Sequence, residues 1–154
     1  MTAENKKYRG RFSVSVFRGK DKGGLKIIMK DKILVIDDEK DICELFKKIL
    51  GLEGYTVLTA QNGYDGIKIN EKSNPDIIIL DLKMPKMNGI ETLRRIRKKD
   101  ADVIVIILTG YGDAGTIRDA ADLNVYEYMG KPFNNTTIIK IIKEAVASMG
   151  EKDE

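Results

Sequence analysis

The chain has no histidine and one cysteine, Cys43, among its 154 residues. Zinc sites, haem sites and His-based catalytic triads therefore lack their ligands, and any bound metal is expected to be a hard cation held by oxygen. A lone cysteine excludes an internal disulfide framework and is consistent with a reducing compartment, so the expected location is the cytoplasm. No apolar run approaches the length needed to cross a bilayer, and no charged-then-apolar-then-small pattern opens the chain. Neither a membrane span nor a membrane partner is expected. A Walker-type glycine loop is also missing.

The formal net charge of +3 is unevenly spread. Residues 1–30 hold nine Lys and Arg against Glu4 and Asp21, a net +7, which leaves 18 basic and 22 acidic groups, a net −4, in the other 124 residues. The basic balance belongs to a leader and the rest is mildly acidic, which weakens any case for direct nucleic-acid binding. That leader is polar and Gly-rich, with one alternating piece, Phe12-Ser13-Val14-Ser15-Val16-Phe17. It reads as a flexible segment or a stray edge strand: a natural tail, a remnant of expression, or a start assigned too early, with Met29 opening the native chain. Residues 31–150 are expected to form one domain, and 151–154 a frayed tail.

From Lys32 an apolar strand followed by an amphipathic helix recurs. Ile33–Ile36 runs into Asp37-Asp38-Glu39, and a helix carries Ile42, Leu45, Phe46, Ile49 and Leu50 at helical spacing. Thr56–Ala60 is a second strand; Asn62-Gly63 turns into a second helix, which Asn74-Pro75 ends. After Asp76, Ile77–Leu80 is apolar on both faces and delivers Asp81 into a Pro-containing loop. Asn88-Gly89 starts a third helix with Arg94, Arg95, Arg97, Lys98 and Lys99 outward, read as a solvated face rather than a phosphate patch. Val103–Leu108 is a fourth strand ending on Thr109-Gly110, and a weakly apolar helix follows over 113–123. Val125–Met129 is a short fifth strand before Lys131-Pro132-Phe133, and the last helix carries Ile138, Ile141, Ile142, Ala145 and Met149.

Strands alternating with helices on short connections imply an α/β, doubly wound, five-stranded parallel sheet with five helices, in the flavodoxin-like order 2-1-3-4-5. In such sheets ligand chemistry gathers outside the carboxyl ends of the strands. Here those ends supply Asp37, Asp38, Asp81, Thr109 and Lys131. With the first and third strands adjacent, three carboxylates crowd one crevice and need a cation to stay ionised together. Mg²⁺ suits oxygen ligands and commonly shares its site with a phosphate. A lysine and a hydroxyl opposite would hold the remaining phosphate oxygens. Singly, Asp37 or Thr109 could cap a helix, Lys131 could be a surface ion pair, and Tyr128 could be half-buried core. Cys43, Met84, Met87 and Met129 read as packing.

Four segments in this order and spacing, Val35–Glu39, Leu80–Pro85, Leu108–Gly110 and Lys131–Phe133, resemble the receiver domain of response regulators in two-component signalling. The likeness covers residues 32–149 and extends to stand-alone regulators of the chemotaxis and sporulation-phosphorelay type. It implies that Asp81 is the phosphoacceptor and modified residue, and that Asp37, Asp38, Asp81 and the backbone carbonyl of Lys83 hold Mg²⁺. Thr109 and Lys131 would contact the phosphoryl oxygens, a cis bond would join Lys131 to Pro132, and Tyr128 would be the switch aromatic. The implied donor is a histidine kinase or histidine phosphotransferase. The implied output is a protein partner on the face of the fourth helix, fifth strand and fifth helix. Such a domain is no conventional enzyme: it catalyses its own phosphorylation and slow dephosphorylation. Lys83 and Tyr111, the residues two after the phosphoacceptor and two after the threonine, would shield the aspartyl phosphate from water, as in the sporulation phosphorelay.

Rival chemistries fit less well. A haloacid-dehalogenase-type phosphatase needs a second aspartate where Lys83 stands, and the acidic turn after the first strand would repel a flavin phosphate. With the chain ending soon after the fifth helix, no DNA-binding domain is expected. The alternative is the isolated receiver of a longer DNA-binding regulator.

Overall fold

A computed structural model describes residues 14–17, 26–29, 31–110 and 112–151. Strands β1 (Val14–Phe17) and β2 (Lys26–Met29) pair antiparallel in a two-stranded sheet of their own, with Val14 opposite Met29 and Phe17 opposite Lys26. The alternating piece thus has a partner that the sequence reading did not assign, and Met29 sits inside it. The rest of the leader, including Phe12 and Ser13, lies outside the described residues, as do residues 152–154.

The main sheet contains β3 (Lys32–Ile36), β4 (Thr56–Ala60), β5 (Ile77–Asp81), β6 (Ile104–Thr109) and β7 (Glu127–Gly130). All its pairings are parallel, in the order β4-β3-β5-β6-β7. Counted within this sheet, that is the expected order 2-1-3-4-5. β5 is buried along its whole length because it has a strand on each side and helices on both faces. Its side chains alternate with period two between two cores. Ile77 and Ile79 join Ile33, Val35, Ile106 and Leu108 under α1 (Lys40–Leu52) and α5 (Asn135–Glu151), which contribute Phe46, Leu50, Ile138 and Ile142. Ile78 and Leu80 join Leu34, Ile36, Val105 and Ile107 under α2 (Gly63–Ser73), α3 (Gly89–Lys99) and α4 (Ala114–Asp119). The registers bring Ile36 beside Leu80 and Asp81 beside Leu108, so the carboxyl ends of β3, β5 and β6 finish at one level.

Both Asn-Gly pairs open helices as read. Asn62 Oδ1 accepts the Asp65 N–H at 2.8 Å and Asn88 Oδ1 the Glu91 N–H at 2.9 Å, each satisfying an otherwise orphaned donor. Asn74, at φ 45°, ends α2 before Pro75.

Three details differ from expectation. α4 stops at Asp119 rather than running to Leu123. The N–H groups of Ala120, Ala121 and Leu123 bond three residues back, so the chain tightens into turns that still bury Ala120 and Leu123. β7 begins two residues late, although Tyr126 N–H already bonds Val105 O at 2.8 Å. Arg97, read as outward and solvated, reaches back to carbonyl oxygens at the α3, β6 and β7 junction: Nε to Leu123 at 2.8 Å, and the terminal nitrogens to Val103 at 2.7 Å and Asn124 at 2.9 Å. Bonds to Asp100 and Ala101 add to these. A long planar guanidinium can gather convergent carbonyls although its Cα faces away from the core.

Candidate functional site

Residues gather where β3, β5 and β7 end. Asp37 immediately follows β3, and its side chain is fully buried. Its Oδ1 accepts the Glu39 N–H at 2.9 Å, and its Oδ2 accepts from Lys131 Nζ at 3.1 Å. Asp37 therefore braces the turn into α1, although Glu39 is the helix cap residue. Asp81 closes β5 and is 5% exposed. One oxygen each from Asp37, Asp38 and Asp81 lies within 4.8 Å of the others. Lys131 directly follows β7, and the Lys131–Pro132 bond after it is cis, as expected. Its Nζ reaches Asp81 Oδ1 at 3.5 Å and Glu39 Oε1 at 3.6 Å besides Asp37. Glu39 is a participant that the sequence reading did not assign.

Burial and crowding set the electrostatics. Burial, and then the neighbouring Asp37, push the Asp81 carboxyl up to about 7, which Lys131 and the Lys83 N–H only partly offset. Burial also raises Asp37, against its bonds to Glu39 N–H and Lys131. For Lys131, burial acts to lower the ammonium's pKa, but Asp81, Asp37 and Glu39 outweigh it and the pKa rises. Two buried carboxylates, Asp37 and Asp81, so disfavoured in their ionised form, with Asp38 beside them, fit a hard divalent cation. Asp37, Asp38, Asp81 and the Lys83 carbonyl could hold one.

The sequence-predicted residues do not all converge. Thr109 closes β6 but its hydroxyl donates to Met129 O at 3.4 Å, toward β7. Tyr128 is half-buried and packs against the core that holds Leu34 and Leu80, with burial raising its phenol. The Lys83 ammonium turns to Asp113 Oδ1 at 3.1 Å. Tyr111 lies outside the described residues. Cys43, Met84, Met87 and Met129 are buried packing groups; the Cys43 thiol donates to Asp37 O at 3.3 Å, and burial raises it. Beside the loop after β5 lies a cleft of about 450 Å³ lined by Leu82, Lys83, Met84, Pro85, Asn88 and Thr116.

Residues 33–143 match the family profile described as the response regulator receiver domain. The chain belongs to this family. The receiver is 36% identical over 117 residues to sporulation initiation phosphotransferase F of Bacillus subtilis, covering 76% of this chain and 94% of that one. It is 40% identical over 113 residues to a CpxR homologue, a transcriptional regulatory protein of Haemophilus influenzae, covering 73% of this chain and 48% of the relative. A crystal structure of a response regulator receiver domain protein from Clostridium thermocellum superposes with a TM-score of 0.73 at 37% identity, over 78% of this chain and 97% of that one. The chain thus spans nearly all of some relatives and about half or less of the longer regulators it matches.

One glycine lets the loop after β5 close in this receiver. Gly89 N–H bonds Leu82 O at 2.9 Å, and a Cβ at this position would overlap the Asp81 carbonyl oxygen and sit 2.8 Å from Leu82 Cα. Backbone cannot move aside as a flexible side chain can. Gly89→Ala is expected to lower stability by about 2 kcal/mol and to displace the Asp81–Lys83 segment. Chemical denaturation together with Mg²⁺ titration would check both parts; full stability with unaltered Mg²⁺ affinity would refute them.

Proposed function

We propose that the chain accepts a phosphoryl group on Asp81 from a histidine kinase or histidine phosphotransferase, with Mg²⁺, and so switches a protein-binding face. The observation that carries this reading is the convergence of Lys131 and the carboxylates of Asp37 and Asp38 on a buried strand-end aspartate, Asp81. An Asp81 carboxylate oxygen attacks phosphorus in line. The new O–P bond forms as the P–N bond to the donor imidazole breaks, and that electron pair stays with the imidazole, which takes a proton from solvent. Lys131 stabilises charge on the transferred oxygens in a loose transition state, and the burial of Asp81 keeps it positioned. Mg²⁺, held by Asp37, Asp38, Asp81 and the Lys83 carbonyl, would supply further positive charge to the transition state. The product is an acyl phosphate with about two negative charges and strong acceptor oxygens.

Thr109, turned toward Met129 in this structure, swings to the phosphoryl group and leaves room for Tyr128 to turn inward. The face of α4, β7 and α5 changes as a population shift between two arrangements. The chain acts as a cytoplasmic signalling switch rather than a conventional enzyme, with no direct nucleic-acid contact. Coverage of nearly all of the sporulation phosphotransferase supports a stand-alone relay protein. Coverage of about half of the CpxR homologue supports the second reading, the receiver portion of a longer DNA-binding regulator.

The test is phosphotransfer profiling against purified histidine kinases, with Asp81→Asn as control. Acid-stable, base-labile label on the unchanged chain and none on the variant is expected. Equal labelling of both would refute the assignment. Once the chain is labelled, its decay reports on Lys83. Lys83→Asn is expected to speed hydrolysis about tenfold, equivalent to roughly 1.4 kcal/mol of barrier, because the ammonium no longer pairs with a phosphoryl oxygen. A half-life of seconds in the unchanged chain, unaltered by the substitution, would remove the relay reading.

A further inference from the structure

Asp113 immediately precedes α4 and lay outside the sequence-predicted site, yet its side chain is only 2% exposed. One oxygen, Oδ2, accepts the Gly110 N–H. The other, Oδ1, lies 3.1 Å from Lys83 Nζ but has no aligned hydrogen-bond partner among the described residues. A single buried carboxylate therefore ties the loop after β5 to the loop after β6. The tie joins the residue two after Asp81 to the residue next to Thr109.

We propose that Asp113 is a positioning residue: it holds Lys83 and the Gly110 amide in the unphosphorylated arrangement and gives up Lys83 to a phosphoryl group on Asp81. This rests on the reading of Asp81 as phosphoacceptor. The Lys83 side chain is 68% exposed, so it can reorient at little steric cost. A phosphoryl group two residues away offers it a dianion in place of a monoanion. Once Lys83 leaves, Asp113 is a buried carboxylate without its cation, an arrangement proteins tolerate poorly. The carboxylate turns outward and releases the Gly110 N–H, freeing the backbone beside Thr109. Phosphoryl binding and loop release are then reciprocally linked.

Because the tie opposes phosphoryl binding, Asp113→Asn should make the full chain bind beryllium fluoride, with Mg²⁺, about fivefold more tightly. In the Lys83→Met background the same substitution should change nothing, since the partner is gone. An unchanged or weaker affinity in Asp113→Asn with its melting point retained would overturn the proposal. Equal effects in both backgrounds would also overturn it. The unchanged chain supplies a measurement free of folding effects: the Gly110 amide should lose its exchange protection at saturating beryllium fluoride. Retained protection counts against the tie. A saturable response to which Asp113 is indifferent removes the tie alone, whereas no saturable response in the unchanged chain removes the phosphoacceptor reading with it.

Discussion

Asp81→Asn is expected to take up no phosphoryl group and, in metal-free buffer at pH 8, to melt about 5–10 °C above the unchanged chain. The same substitution removes the proposed nucleophile and relieves a repulsion. With its carboxyl pushed up to about 7, Asp81 is ionised at pH 8 at the expense of the fold. The full difference from an unfolded carboxyl corresponds to up to about 4 kcal/mol. The sign is opposite to that of a salt-bridged aspartate. Between about pH 4 and pH 7 the folded chain binds the extra proton, so the unchanged protein gains stability as pH falls through 7. The gap to Asp81→Asn should therefore shrink to about a third by about pH 5 and close near pH 4. A difference in melting temperature that ignores pH would contradict this account.

Asp38→Ala, which removes another member of the trio, should likewise abolish labelling while leaving the fold intact. Mg²⁺ affinity should weaken as pH drops below 7, because metal and proton compete for Asp81. Isothermal titration in two buffers of different ionisation enthalpy would reveal the released proton. Labelling of Asp38→Ala by a small phosphodonor would sink its assignment to the metal site.

Arg97→Ala is expected to produce the largest loss of stability away from the site, about 3–4 kcal/mol, with the midpoint of denaturation falling accordingly. Three of its bonds, to Leu123, Val103 and Asn124, are 2.9 Å or shorter. Charge-assisted bonds to carbonyls are each worth about 1.5–3 kcal/mol, and removing the guanidinium leaves several acceptors short of donors together. Lysine should recover less than half, since a single ammonium cannot reach carbonyls spread over the α3, β6 and β7 junction. Stability equal to the unchanged chain in Arg97→Ala would show that water satisfies these carbonyls as well.

Arg97 marks one limit of reading this chain from its residues. Helical spacing places its Cα on the outer face beside Arg94 and Arg95, and spacing says nothing of where a flexible side chain ends. Asp113 marks another, since an aspartate before a helix looks like an ordinary cap. Here no cap bond forms, and the carboxylate serves Gly110 and Lys83 instead. Both depend on loops meeting from distant parts of the chain.

The five parallel strands and their order were legible because runs such as Ile77–Leu80 can only be strands buried on both faces, and right-handed crossovers leave few windings. The ends of those apolar runs put Asp37, Asp38, Asp81, Thr109 and Lys131 at the carboxyl ends of strands from pattern alone. Only the tertiary structure decided how those ends face one another. It brought Lys131 to Asp37, Glu39 and Asp81, turned Thr109 to Met129 and Lys83 to Asp113, and paired Val14–Phe17 with Lys26–Met29. Periodicity specifies which face of an element is apolar. Side-chain reach, loop closure and the burial that raises Asp81 arise only when separate elements pack together.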